Sequence, residues 1–213
     1  MKALPKPLTY LVLLAGMGLA YTAEATLIDR VFAVYDTDLN ISWLKDANYS
    51  QTSGYDADGR MTWQAANTWA ASLNIGGHTG WRLPTALNAD GSGPCGPAYN
   101  CTGSELGHLF YTEGGLTSSQ NINASTVLKS FFSNMQNSDY WSGTEYAPNP
   151  GLAWYFGTAS GYQTGDNKGL SYYVWAVRDG DVGGGGTVPE PGVMGLLGVG
   201  ALAWAGTKAR RRG

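Results

Sequence analysis

Short apolar runs and one helical stretch open the pattern of hydrophobic positions along the chain. Residues 31–35 and 41–44 are rich in β-branched and aromatic side chains and flank the Asp-rich segment 36–38, which predicts two strands joined by a turn. Residues 63–73 instead place apolar side chains three and four positions apart, after Thr62 as an N-cap. This part of the chain therefore predicts a strand pair followed by an amphipathic helix.

Two serines mark the starts of further short helices. Ser104 precedes residues 105–112, where apolar side chains again recur at helical spacing. Ser125 precedes another such segment, in which Leu128 and Phe132 are expected to face the core. Both segments are brief, so they predict small helices rather than a bundle.

Aromatic residues dominate the second half of the chain. Residues 140–146, 153–158 and 172–178 alternate or cluster them as strands do, and segments 149–151 and 165–167 have the composition of turns. The order of strands, then helices, then strands favours an α+β fold over repeated βαβ units.

Composition and charge divide the chain into one acidic domain and two ends that differ from it. Its 213 residues include 31 Gly and eight Trp, and only 14% are charged, which disfavours a disordered chain and a helical bundle. The net charge is −3, but residues 26–182 carry seven Lys+Arg and fourteen Asp+Glu, a net charge of −7. That balance excludes general nucleic-acid binding and disfavours sulfated glycans, whereas neutral sugars or cationic partners fit it.

The first 25 residues predict a secretory signal peptide. Lys2 and Lys6 form a positive start, an apolar stretch follows over 8–20, and Ala23-Glu24-Ala25 is a small-x-small cleavage pattern. We expect cleavage after Ala25. The alternative is an uncleaved N-terminal anchor, for which this apolar stretch is short compared with the ~20 residues of a membrane span.

The C-terminal end has three parts in a fixed order. A Gly-rich linker over 183–188 leads to the Pro-Glu-Pro triplet, an uncharged apolar stretch covers 192–206, and a cluster of arginines ends the chain. The apolar stretch would reach about 22 Å as a helix, less than the ~30 Å hydrocarbon core, so it predicts a short transmembrane helix with a cytoplasmic basic end. The residues expected to carry the sorting information are Pro189, Glu190, Pro191, Arg210, Arg211 and Arg212.

Together these parts, over 189–213, resemble the PEP-CTERM sorting signal of exported bacterial proteins. The resemblance implies that an exosortase-like enzyme recognises the tail in the membrane and processes it near the triplet. It also implies a final place in the cell envelope, at the cell surface or in the extracellular matrix, where many such proteins accompany exopolysaccharide or biofilm. A plain tail anchor is the alternative, but it would leave Glu190 and both prolines without a reason.

Four motifs in the body of the chain resemble a known domain family. They are YDTDLNISWL at 35–44, GWRLPT at 80–85, YWSGT at 140–144 and VWAVR at 174–178. In this order they resemble the family named for the C-terminal domain of a Legionella collagen-like adhesin. The resemblance implies a C-type-lectin-like fold over 26–182: two main helices packed on a twisted antiparallel sheet, paired terminal strands, and long loops that carry the ligand surface.

The motif residues predict packing before function. Trp81, Trp141 and Trp175 bring large apolar area to the core, and Arg82 is expected to pair with a carboxylate or with carbonyls near the sheet. Aromatic and polar residues nearer to predicted loops are the candidates for ligand contact, namely Trp154, Tyr155, Tyr162, Asn149, Asp166 and Asn167. For the aromatic candidates, packing in the core or along a strand is the alternative.

Candidate reactive groups are few. Cys95 and Cys101 predict one disulfide that pins a Gly/Pro-rich loop, as is usual in exported proteins. The chain has two histidines, His78 and His108, and neither lies in a catalytic or zinc-binding motif, so we expect surface or core positions for both. We therefore predict no catalytic residue, no metal ligand and no cofactor.

Calcium is an alternative to that expectation. Segment 36–40 begins like a calcium loop but lacks the Gly and Glu of an EF-hand, so it predicts an Asx-rich turn. Loop carboxylates and amides could instead hold the ion, although no calcium motif aligns with them; they are Asp139, Glu145, Asn149, Asp166 and Asn167.

The sequence thus predicts an exported, non-catalytic protein that binds polysaccharide or another surface ligand through its loops. A structural matrix protein that self-associates or docks to other surface proteins is the second hypothesis. A glycan-acting enzyme is the third, and replacing Glu113 or Glu145 would test it if turnover were found.

Overall fold

The computed structural model describes residues 27–183. The predicted signal peptide at 1–25, the sorting tail at 189–213 and nearly all of the linker at 183–188 lie outside that range. Within residues 27–183, no helix is long and apolar enough to cross a membrane.

Within residues 27–183, nine strands and a few short helices form a mixed structure that is mostly β, which confirms the α+β class. The strands are β1 (Leu27–Asp29), β2 (Ala33–Asp36), β3 (Ile41–Leu44), β4 (Arg60–Met61), β5 (Asp139–Glu145), β6 (Leu152–Gly157), β7 (Tyr162–Asn167), β8 (Tyr172–Tyr173) and β9 (Val177–Asp179). The helices are α1 (Tyr49–Thr52), α2 (Trp63–Ser72), α3 (Glu105–Gly107), a π-helix (His108–Glu113), a 3-10 helix (Ile122–Ala124) and α4 (Thr126–Phe131).

The strands are divided between two sheets rather than gathered in the single sheet that we expected. One has the order β1-β2-β3-β9 and the other the order β4-β8-β5-β6-β7. The segment predicted as one strand over 172–178 is divided between the two sheets. Its first part joins the larger sheet as β8, and its last part joins the smaller sheet as β9. Strand β9 pairs antiparallel with β3, so the C-terminal end of the domain closes against its N-terminal strands.

Segment 165–167 was predicted to be a turn, and that prediction is wrong because these residues belong to β7. Gly165 lies opposite Trp154 in the ladder between β6 and β7. A Cβ on Gly165 would come within 2.8 Å of the Tyr146 ring, so the glycine there makes room for an aromatic side chain rather than for a bend. The turn comes slightly later, where the Leu170 amide donates to the Asn167 carbonyl.

The predicted helix starts are confirmed by their caps. Thr62, Ser104 and Ser125 each accept a hydrogen bond from a backbone amide three residues on. Two main helices were expected, but among residues 27–183 one helix, α2, is long, at ten residues. The segment predicted as a helix over 105–112 is one α-turn that widens into the π-helix, which changes which of its side chains face one another.

Aromatic side chains fill the core, and an ion-pair cluster links α3 to β9. Trp43, Trp81, Trp141 and Trp175 are each at most 2% exposed, as expected for large apolar groups. Arg82 binds both carboxylate oxygens of Glu105, at 2.7 and 2.8 Å, and also contacts Asp179 in β9. The predicted pairing of this arginine with a carboxylate near the sheet is therefore confirmed.

Candidate functional site

The register of the larger sheet sorts its aromatic residues onto two faces. Side chains directly opposite one another in a ladder share a face. Tyr140 pairs with Phe156, which pairs with Gln163, and all three are at most 1% exposed. This face packs on the core, where the Phe110 ring from the π-helix lies 5.5 Å from that of Phe156.

The other face of the same sheet is partly open to solvent and carries three tyrosines. Tyr155 on β6 lies opposite Trp141 on β5, and its ring is 5.0 Å from that of Tyr172 on β8. Trp141 is fully buried beneath them, 4.6 Å from the Tyr172 ring, and donates its indole N–H to the Met61 carbonyl. Tyr162 on β7 faces the same side. A buried indole therefore supports a row of half-buried phenol rings.

Two carboxylates flank the row. Asp139 starts β5 opposite Gly157, and a Cβ at that glycine would approach Asp139 Oδ1 to 3.1 Å, so the carboxylate lies over bare backbone. Asp166 on β7 accepts a hydrogen bond of 2.7 Å from the Tyr172 hydroxyl. We call these five residues the tyrosine platform: Asp139, Tyr155, Tyr162, Asp166 and Tyr172.

Burial raises the pKa of three platform residues, Asp139, Tyr155 and Tyr172, and so favours their neutral forms. Burial, together with the nearby carboxylates, raises the pKa of Tyr155 to about 12. Burial also raises the pKa of Asp139 above its usual range, and Asp166 adds to the shift while Arg60 opposes it. Tyr155 and Tyr172 thus stay protonated at neutral pH, and their hydroxyls can donate hydrogen bonds.

The predicted disulfide is present and supports one edge of the platform. Cys95 and Cys101 are bonded, with their Cα atoms 5.6 Å apart. The loop that they close pairs with β7, because Ala98 and Gln163 exchange two backbone hydrogen bonds of 3.0 Å. Tyr99 in this loop is 44% exposed, and its ring lies 4.8 Å from that of Tyr162, so the loop extends the aromatic row beyond the sheet.

Three of the six residues predicted to contact ligand meet in the platform, namely Tyr155, Tyr162 and Asp166. The other three do not join them. Trp154 points to the opposite face and is 4% exposed, with its ring 5.0 Å from that of Tyr146. Asn149 and Asn167 use their side-chain oxygens to accept backbone amides of adjacent turns.

The carboxylates proposed for calcium are dispersed in the structure. Glu145 pairs with Lys168, whose ammonium lies 4.3 Å from the centre of the Trp63 ring. Within residues 27–183, Asp139, Glu145 and Asp166 do not form a metal-sized group. One such group does occur there, but it consists of Asp36, His108 and Glu113. The sequence predicts Asp36 in a turn, His108 on the helix over 105–112 and Glu113 just beyond that helix, so it does not predict that the three meet.

A cavity of about 480 Å³ lies beside the Arg82 cluster, and none of the platform residues lines it. Its charged lining residues are Arg82, Glu105 and Asp179, which already satisfy one another. Glu105 also accepts the Thr85 amide at 2.7 Å. The charged groups of the cavity therefore already pair with one another, and we take the platform as the candidate binding surface.

Comparison with known proteins bears on the tail. Residues 187–212 match the PEP-CTERM protein-sorting motif, which confirms the resemblance seen at 189–213. The chain is therefore an exported protein that an exosortase, a membrane enzyme, processes at the cell envelope. No curated protein and no solved structure matches this chain.

Proposed function

We propose that this exported domain is a non-catalytic binding module for neutral polysaccharide and that the tyrosine platform is its binding surface. The observation that carries the proposal is the row of half-buried tyrosine rings on one face of the larger sheet, which two carboxylates flank. Aromatic rings offer flat apolar surface to the C–H face of a sugar, and carboxylates accept hydrogen bonds from its hydroxyls.

The charge of the domain narrows the ligand class. With a net charge of −7 over residues 26–182, anionic polysaccharides would be repelled at long range. A shallow open face also suits a chain better than a single small sugar, since small-molecule sites are usually concave. The row crosses strands β8, β5, β6 and β7, a width of about 14 Å at the usual strand spacing.

We further propose that the domain is C-type-lectin-like and related to the Legionella adhesin domain family. The support is the four sequence motifs, which place Trp43, Trp81, Trp141 and Trp175 in the core, and the closure of the last strand on β3. The proposed binding surface is on sheet residues of β5–β8 rather than on long loops.

The test is a glycan array probed with the exported protein purified from its native cells, with and without a chelator. We expect neutral polysaccharides to be retained in both conditions and Tyr155→Ala to lose them. Tyr55→Ala is the matched control, because that tyrosine is 57% exposed and lies outside the platform. Absence of sugar binding together with concentration-dependent oligomers would favour the self-associating matrix protein instead, and loss of binding only with chelator would favour calcium.

A further inference from the structure

A second group of polar residues lies away from the platform, where the smaller sheet meets the π-helix. Asp36 ends β2 and is completely buried. His108 begins the π-helix and Glu113 ends it, with side chains 13% and 3% exposed. Three groups that bind metals in proteins are therefore enclosed together near the surface.

The ligand atoms of these residues face a common point. His108 Nε2 is 3.3 Å from Glu113 Oε1 and 3.9 Å from Asp36 Oδ2, and the three ligand atoms lie within 4.8 Å of one another. In a tetrahedral site with bonds of about 2.0–2.1 Å, ligand atoms are roughly 3.3 Å apart. The His108–Glu113 pair already has that spacing, and Asp36 Oδ2 lies somewhat farther away, 3.9 Å from His108 Nε2.

The π-helix is what brings two of the three residues together. At 3.6 residues per turn, positions five apart would lie about 140° apart around an α-helix. The wider turn instead places His108 and Glu113 side by side, and the Gly114 amide donates to the Leu109 carbonyl five residues back. Single π-turns occur frequently at functional sites.

Asp36 supplies an independent sign that a partner belongs in this space. Its Oδ1 accepts the amides of Asp38 and Leu39, at 3.1 and 3.0 Å, which fixes the carboxylate plane. Its Oδ2 is buried and has no hydrogen-bond partner among the described residues, although it points toward His108. An uncompensated buried carboxylate oxygen is costly, and a cation would offset that cost.

From this geometry we infer a Zn²⁺ site formed by Asp36 Oδ2, His108 Nε2 and Glu113 Oε1. One imidazole and two carboxylates suit zinc, whereas Ca²⁺ takes six to eight oxygen ligands and this group offers too few. Three protein ligands leave a fourth position for water. The bound ion would tie β2 of the smaller sheet to the π-helix that packs on the larger one, so it would stabilise the junction between the two sheets.

The alternative is a metal-free cluster in which a protonated His108 bridges two carboxylates. Titration calorimetry of chelator-stripped exported protein with Zn²⁺ alone separates the two. We expect one Zn²⁺ per chain and a higher midpoint of thermal unfolding when zinc is present. Asp36→Asn keeps the turn-forming Oδ1 but removes the charge, and it should weaken zinc binding by about 100-fold or more, since even indirect neighbours of a metal contribute 10–100-fold.

His108→Gln should weaken zinc binding equally, and His78→Gln is its matched control because His78 lies outside the cluster. Unchanged zinc affinity in both Asp36→Asn and His108→Gln, or no zinc bound by the wild-type protein, would overturn the site. Should Asp36→Asn fail to fold, the visible spectrum of Co²⁺ bound to wild-type and His108→Gln protein decides: bands in the first only support the site, and bands in neither or both overturn it. The platform contains none of these residues, so its sugar binding is tested separately.

Discussion

The two faces of the larger sheet are made from nearly the same residue types but differ in burial. Neighbouring aromatics at Tyr155-Phe156 and Tyr172-Tyr173 place one ring on each side of the sheet. Phe156 is 1% exposed and packs on Phe110, whereas Tyr155 is half-buried beside carboxylates. Since strand side chains alternate, a shift of one position decides whether an aromatic residue contributes to stability or is available to a ligand.

The largest effect is expected on the core face. Phe156→Ala should lower the free energy of unfolding by about 3–5 kcal/mol, because it removes a buried ring between Phe110 and Tyr111 and leaves a cavity. Chemical denaturation monitored by tryptophan fluorescence measures this. Phe156→Leu is the control and should cost clearly less. A loss below about 1 kcal/mol for Phe156→Ala would mean that the two faces do not differ as described.

The next effect is expected on the open face and in binding rather than in folding. Tyr155→Ala should weaken polysaccharide binding about 10-fold or more, since truncating a central aromatic contact commonly costs at least ~1.4 kcal/mol. Affinity electrophoresis through a gel that contains the polysaccharide measures the change. If Tyr155→Ala destabilised the domain as strongly as Phe156→Ala and left retention by the gel unchanged, the open face would contribute to stability and not to binding.

A smaller effect separates the ring from its hydroxyl. Tyr172→Phe keeps the aromatic surface and removes the hydrogen bond to Asp166, so it should cost about 1 kcal/mol of stability. Affinity should stay within about 3-fold of wild type if stacking dominates, by the same free-energy scale. Calorimetric titration of the variant measures this, and a 10-fold loss would show that the hydroxyl and its carboxylate, not the ring, determine binding.

The smallest effect concerns Asp139 and depends on pH. Burial raises the pKa of this carboxyl in the folded state. The resulting stability is fully present below the usual pKa of about 4, where Asp139 is protonated in both states, and it is lost as the pH rises through the raised pKa. Asp139→Asn cannot ionise, so it should be more stable than wild type at pH 7 by about 0.5 kcal/mol and no more stable at pH 3. Thermal unfolding at both pH values checks the sign, which an equal difference at the two would contradict.

Local signals in the sequence foresaw much of the fold. The caps at Thr62, Ser104 and Ser125 and the strand at 41–44 depend on neighbouring residues alone, and the structure has them as predicted. The division of 172–178 between two sheets was not predictable in the same way, because it depends on pairing with strands more than 100 residues away.

The sites show the same limit. Tyr155, Tyr162 and Asp166 were predicted as candidates, but their meeting on one face depends on the ladder register, as does the position of Trp154 on the other. Asp36 is far from His108 in the sequence, and helical spacing at 3.6 residues per turn would separate His108 from Glu113. The sequence therefore does not predict that these three residues meet. A histidine and a carboxylate five residues apart in a capped helix are a weak signal, because they lie side by side only if the helix contains a π-turn.

The indole N–H groups can report directly whether the open face binds polysaccharide and the core face does not. Trp141 lies under the platform and donates to Met61, whereas Trp175 lies in the core and donates to Leu44. In a nuclear magnetic resonance titration with a neutral oligosaccharide from the array, we predict a shift of the Trp141 indole signal, with the Trp175 signal unchanged. Saturable binding that leaves the Trp141 indole signal unshifted would show that the oligosaccharide binds elsewhere than on the open face.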